Sequence, residues 1–189
     1  MRKLLWMTFV LLWPWASVQA QILVTSFHAS GNGCPPGSTD HILSSDQQTL
    51  QILFSQFIAE LPGESTKSCN VQLQLEVPQG LALSWYRTEH RGFIDTSGGA
   101  DAEFIGRYHA QGAGLDFENT QSWPAQTVGD YLVTSQSPGH KWTKCGGKQK
   151  LTMRTMIRLK GQPVGFNTLT VDDKTFRAES RLFFTTKRC

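Results

Sequence analysis

The sequence predicts an all-β fold: a single-domain antiparallel β-sandwich of about seven to nine strands, stapled by disulfides. Three observations carry this expectation. Apolar residues recur at every second position in short segments, Gly- and Pro-rich turns separate those segments, and four cysteines follow an export signal. The 189 residues suffice for one domain with a core of its own. With 39% hydrophobic and 17% charged residues, the composition excludes a disordered or fibrous chain.

The first element is an address. Arg2 and Lys3 precede an apolar run from Leu4 to Trp13, and Pro14 to Ala20 ends in Val18-Gln19-Ala20. This is the pattern of a secretory signal peptide over residues 1–20, cleaved near Ala20. A run of about 10 residues is too short to cross hydrocarbon, which takes about 20, so no membrane span is expected. The mature chain over residues 21–189 is then secreted or periplasmic.

Export gives the cysteines a meaning. Cys34, Cys69, Cys145 and Cys189 form an even set in an oxidising compartment, which reads as two disulfides. Four thiols allow three pairings, and the sequential one, Cys34–Cys69 with Cys145–Cys189, is favoured. Each bridge would close a loop of roughly 35 to 45 residues, a contribution of about 4 kcal/mol in the chain-entropy model. Zinc is the rival, but no two cysteines are close in sequence and no His stands at ligand spacing, so no metal or other cofactor is expected.

The strands follow in chain order. Leu50, Ile52 and Phe54 share a face, and Phe57, Ile58 and Leu61 continue apolar towards Pro62-Gly63. Val71, Leu73, Leu75 and Val77 alternate with Gln72, Gln74 and Glu76. Leu81, Leu83 and Trp85 come next, then Ala102, Phe104, Gly106 and Tyr108, and then Val128 to Val133. Leu151, Met153, Thr155, Ile157 and Leu159 form the longest run, and Ala178, Ser180, Leu182 and Phe184 the last. Period-two alternation sets one face on a core and the other in water, as in antiparallel sheet. Turn chemistry at Gly31-Asn32-Gly33, Pro35-Pro36-Gly37, Gly98-Gly99, Pro138-Gly139 and Asp172-Asp173 falls between these runs. A closed barrel is the second architecture compatible with the pattern.

Charge is segregated along the chain. Residues 21–140 hold four basic and twelve acidic side chains, a net of −8, whereas residues 141–189 hold twelve basic and three acidic ones, a net of +9. Alternation turns Arg154, Arg158 and Lys160 outward in one segment and Arg177, Arg181 and Lys187 outward in another. If the two segments are neighbours in one sheet, these six residues form a basic patch suited to a polyanion or glycan. The opposing reading is a solvated face neutralised by the acidic part of the same chain. No exposed aromatics interleave with the basic residues, which argues against nucleic acid as partner.

Catalytic patterns are sparse. The five histidines form no metal-binding spacing, there is no G-x-S-x-G elbow, and the thiols are committed to disulfides. These absences lean away from an enzyme. Glu76, Glu89, Asp95, Asp101 and Glu103 lie on or between neighbouring strand segments and leave room for a glycosidase-like carboxylate pair. Trp85-Tyr86 puts one ring on each face of a strand, and Trp142 stands three residues before Cys145. Exposed rings of this kind serve as sugar-stacking platforms, against the plainer reading that Trp85 fills the core and Trp142 packs on a disulfide.

The opening Gly31-Asn32-Gly33-Cys34-Pro35-Pro36-Gly37-Ser38 and the segment Leu50 to Phe57 resemble those of a known family. Cys69-Asn70 leading into Leu73 to Gly80, Tyr86 to Gly92-Phe93, and the ending Lys187-Arg188-Cys189 extend the likeness over nearly the whole mature chain. The family is the secreted one catalogued as domain of unknown function 4360. The resemblance implies export and cysteines at these places, and carries no assigned activity or site residues. The resulting expectation is a secreted, non-catalytic binding or surface-interaction protein that meets a polyanion or glycan through its basic C-terminal strands. A polysaccharide hydrolase using paired carboxylates is the first alternative, and a secreted inhibitor or effector with a protein partner is the second.

Overall fold

The computed structural model describes residues 21–162, 164–171 and 179–189. Residues 1–20, expected to be a signal peptide, and Asp172-Asp173, Arg177 and Ala178 lie outside these residues. The described residues form twelve strands and no helix: β1 (Leu23–Ser30), β2 (Thr39–Leu43), β3 (Thr49–Phe54), β4 (Ile58–Leu61), β5 (Thr66–Val77), β6 (Leu81–Asp95), β7 (Asp101–Ala110), β8 (Leu115–Trp123), β9 (Val128–Gln136), β10 (Gly147–Lys160), β11 (Asn167–Thr170) and β12 (Glu179–Arg188). Every pairing is antiparallel. One sheet has the order β1-β5-β10-β7-β8. The other runs β2-β3-β12-β6, with β9 along the far edge of β6 and β11, followed by β4, pairing the end of β6 beyond β12.

The fold is an all-β sandwich of two antiparallel sheets, with more strands than the seven to nine that alternation marks. The additional strands are those whose alternation is weak. β8 presents Asp116, Glu118, Thr120 and Ser122 on one face and only Leu115 as a fully buried apolar residue, because it is the edge of its sheet. β1 is the opposite edge and is half-buried throughout its inner positions. Most strands read from the sequence are central ones, where both neighbours and the facing sheet cover the apolar side; β9, read from Val128 to Val133, is an edge strand.

Between the sheets lie Val71, Leu73 and Leu75 of β5, Leu151, Met153 and Ile157 of β10, and Phe104 and Tyr108 of β7. They face Leu50 and Ile52 of β3, Leu83, Trp85 and Ile94 of β6, and Leu182 and Phe184 of β12. Trp85 is 2% exposed and meets Tyr108 edge-on, with ring centroids 5.6 Å apart. Trp85 therefore belongs to the core, and a register shift in β6 opposite Phe183 and Phe184 turns both Tyr86 and Arg87 to the outside.

A polar chain crosses this core. Ser180 Oγ meets His90 Nδ1 at 2.6 Å, His90 Nε2 meets the Tyr108 hydroxyl at 2.8 Å, and that hydroxyl meets Ser135 Oγ at 3.0 Å. Asn119 Nδ2 donates to Ser135 Oγ at 3.1 Å and ends the chain at the sheet edge. Burial pushes the His90 imidazole down to about 3 and raises the Tyr108 phenol, so both are neutral at physiological pH. Each buried polar atom of the chain has a partner, which is the condition for tolerating them there.

Cys34–Cys69 and Cys145–Cys189 are both formed, in the sequential pairing, with Cα–Cα distances of 5.4 and 6.2 Å. The first is buried and fixes the Gly31–Ser38 loop to the start of β5. The second is exposed and joins the residue after Trp142-Thr143-Lys144 to the end of β12.

Candidate functional site

The most distinctive surface is the outer face of the seven-stranded sheet. On β6 and β12, alternation turns Tyr86, Arg87, Glu89 and Arg91 and Glu179, Arg181 and Phe183 away from the core. The connection from β9 to β10 then lays His140 and Trp142 beside them. Four rings follow one another: Phe183 to Tyr86 at 6.4 Å, Tyr86 to His140 at 5.4 Å, and His140 to Trp142 at 5.7 Å in a stacked arrangement. His140 is exposed and the other three are half-buried.

Cations lie on this row at both ends. The Arg87 guanidinium sits 4.0 Å from the Phe183 centroid, and the Lys187 ammonium 4.6 Å from that of Trp142. At an exposed position such a contact contributes about 0.5–1 kcal/mol, so Lys187 is a displaceable cover on Trp142. Trp142 thus meets the His140 ring and the Lys187 ammonium.

The row continues into a lattice of charges. Arg87 reaches Glu89 at 3.5 Å, and Arg91 reaches Glu89 at 3.8 Å and Glu179 at 4.0 Å. Glu179, its side chain 4% exposed, also pairs with Arg181 and accepts from the Gln51 amide. Two carboxylates are therefore shared by three guanidiniums, and this fixes the arginine forks in place while Arg91 keeps half its surface in water. Rigid rings beside oriented N–H donors and carboxylate acceptors match the two faces of a sugar, apolar C–H on one side and hydroxyls around the rim.

Of the six basic residues named from the sequence, the five that are described do not form one patch. Arg154, Arg158 and Lys160 are on β10, on the outside of the five-stranded sheet, while Arg181 and Lys187 are on β12 in the other sheet. The two segments are each flanked by other strands: β10 by β5 and β7, and β12 by β3 and β6. Arg158 and Lys160 converge on Glu103 of β7, Lys160 at 3.0 Å. Burial works against the Glu103 charge, but hydrogen bonds from Lys160 and Arg158 outweigh it and hold the carboxyl below its usual range. Arg154 makes no ion pair among the described residues. Of the basic C-terminal residues, Arg158, Lys160 and Arg181 are thus ion-paired within the sheets.

The carboxylates considered for hydrolysis are mostly engaged. Asp95 accepts from Ser97, Asp101 accepts from the Ala125 amide at 2.9 Å, and Glu89 belongs to the lattice above. Asp101 and Glu103 do share a groove of about 350 Å3 with Ser122, Trp123 and Lys160. A glycosidase pair needs one carboxyl kept protonated, and Glu103 is held in the opposite state. No group of three or more His, Cys, Asp or Glu suited to a metal ion occurs among the described residues, and no helix there is long and apolar enough to cross a membrane.

Tyr86 and Trp142 were visible in the sequence as exposed-ring candidates, but Phe183 and His140 were not tied to them. Phe183 could be placed from the inward set Ser180, Leu182 and Phe184, which leaves it on the other face. Nothing in the spacing brings residue 140 next to residue 86.

The chain belongs to the family described as Domain of unknown function (DUF4360), whose model matches residues 20–189. A curated relative from Arthroderma benhamiae, named as an uncharacterized secreted protein, is 26% identical over 136 residues, 68% of this chain. The alignment covers 56% of that relative's length. Among solved structures, TmCBM61 in complex with β-1,4-galactotriose is similar with a TM-score of 0.35 at 8% identity, covering 88% of this chain and 90% of that one. A carbohydrate binding module from Cellvibrio mixtus lichenase 5A in complex with cellotriose gives a TM-score of 0.19 at 13% identity, covering 74% and 99%. At such scores neither likeness bears on the ligand of this chain.

Proposed function

We propose that this family member is a secreted, non-catalytic glycan-binding protein that holds a saccharide on the outer face of its seven-stranded sheet. The observation that carries the reading is the row Phe183–Tyr86–His140–Trp142, set beside the Arg87–Glu89–Arg91–Glu179 lattice. Stacking on Tyr86 and Trp142 supplies the apolar contact, and the arginine and glutamate side chains exchange hydrogen bonds with hydroxyls. The two disulfides and the secreted relative support an extracellular setting, reached through a leader over residues 1–20 cleaved near Ala20.

Isothermal titration with neutral cello-, galacto-, xylo- and chito-oligosaccharides tests this reading. At least one of them is expected to bind in the micromolar to millimolar range, with Trp142→Ala and Tyr86→Ala each weakening it tenfold or more. Binding that both variants retain, or no binding to any of the four series, would remove the proposal.

A further inference from the structure

The outer face of the five-stranded sheet carries one cross-strand row built from all five strands. Ser30 of β1 lies opposite Asn70 of β5, Asn70 opposite Arg154 of β10, Arg154 opposite Arg107 of β7, and Arg107 opposite Glu118 of β8. Ser30, Asn70, Arg154 and Arg107 line a groove of about 220 Å3, and Ile105 and Met156 from the adjacent row complete it. Two guanidiniums directly opposite on neighbouring strands repel. The single carboxylate in the row, Glu118, is bound to Arg107 Nε at 2.7 Å and so answers one of the two charges. Arg154 is exposed and without an ion pair among the described residues. Asn70 Oδ1 is covered by its surroundings and accepts no hydrogen bond.

From this surplus cation beside an unused acceptor, we infer that the groove binds a uronate unit of an acidic saccharide. The planar carboxylate matches the fork of Arg154 and supplies the charge the row lacks, with Arg107 as second donor. A turn of the half-buried Asn70 amide brings its oxygen to a sugar hydroxyl, and Ser30 offers a further hydroxyl. Ile105 and Met156 meet the C–H face of the ring. The volume accommodates one sugar unit rather than an extended chain. The groove is on the opposite outer surface from the aromatic row and does not depend on it.

Titration of the full mature protein with trigalacturonate at low salt tests the inference, with methyl-esterified trigalacturonate and a sulfated, carboxylate-free carrageenan disaccharide as comparison probes. The acid is expected to bind, to weaken steadily as salt rises, and to lose at least tenfold on esterification. Arg154→Gln is expected to lose at least tenfold, with an unchanged far-ultraviolet circular dichroism spectrum, while Trp142→Ala binds like the wild type. Equal binding of acid and ester, undiminished binding by Arg154→Gln, or an equal loss in Trp142→Ala would overturn it. Binding of the sulfated probe without the uronate would overturn it as well. Because the reading of the aromatic face uses neutral sugars, its failure leaves these outcomes untouched.

Discussion

His90 has both ring nitrogens engaged inside the core, between Ser180 and Tyr108, and a neutral ring suits such a place because it can accept at one nitrogen and donate at the other. Its pKa falls from 6.5 to about 3 through burial. The unfolded chain therefore binds a proton at His90 that the folded chain refuses. Stability from this group is complete above pH 6.5 and is lost as pH falls towards 3, with a slope of up to about 1.4 kcal/mol per pH unit. Urea denaturation between pH 4 and 7 is expected to show that slope in the wild type and a flatter one in His90→Gln; parallel curves would contradict it. Gly106 belongs to the same construction, since a Cβ there would lie 2.2 Å from the Tyr108 hydroxyl. Gly106→Ala should push the phenol off His90 and Ser135 and cost about 1–3 kcal/mol, read as a lower urea midpoint at unchanged m-value. Alternation in the sequence already turns Tyr108 inward, but it does not mark His90, which is fully buried, as a core residue. The chain itself was not legible, because Ser180, His90, Tyr108, Ser135 and Asn119 come from β12, β6, β7, β9 and β8, and only the strand order brings them together.

Strand order also decides what becomes of the charge. The sequence puts a strand over Leu151 to Leu159 with Arg154, Arg158 and Lys160 outward, and these outward residues are read correctly, but periodicity says nothing about which strands flank it. β10 is inserted between β5 and β7, so Arg158 and Lys160 meet Glu103, a residue about 55 positions away in the chain. Glu103→Gln removes the one carboxylate both cations share. The pair is only partly buried, with the Arg158 and Lys160 side chains 36% and 46% exposed, so the stability loss should be no more than about 1 kcal/mol. Surface behaviour should change more: with two cations released, the variant is expected to elute from heparin at higher salt than the wild type. Elution at the same salt would mean that Glu103 does not neutralise this strand. The interior strands β3, β5, β6, β7, β10 and β12 were legible because burial against the facing sheet enforces period two. The edges β1 and β8 and the short β4 and β11 were not, since little apolar side chain is required of them.

Across the whole molecule, the two disulfides divide their work by depth. Their loops of 35 and 44 residues give chain-entropy contributions of about 4 kcal/mol each, differing by about 0.2 kcal/mol, so entropy does not distinguish them. Exposure does. Cys34 and Cys69 are 0% and 3% exposed, whereas Cys145 and Cys189 are open to solvent. A thiolate reductant must reach the sulfur it attacks, so under native conditions Cys145–Cys189 should be reduced first. Trp142 stands three residues before Cys145 and Lys187 two before Cys189, so the same bridge holds the Trp142–Lys187 end of the aromatic row together. Alkylation and mass spectrometry after mild dithiothreitol treatment should find label on Cys145 and Cys189 while Cys34–Cys69 is intact. At that point any neutral-sugar binding should be weaker, although the circular dichroism of the sheets is unchanged. Simultaneous labelling of all four cysteines would show that depth does not protect the inner bridge, and full sugar affinity in the singly reduced protein would show that the outer bridge does not organise the row.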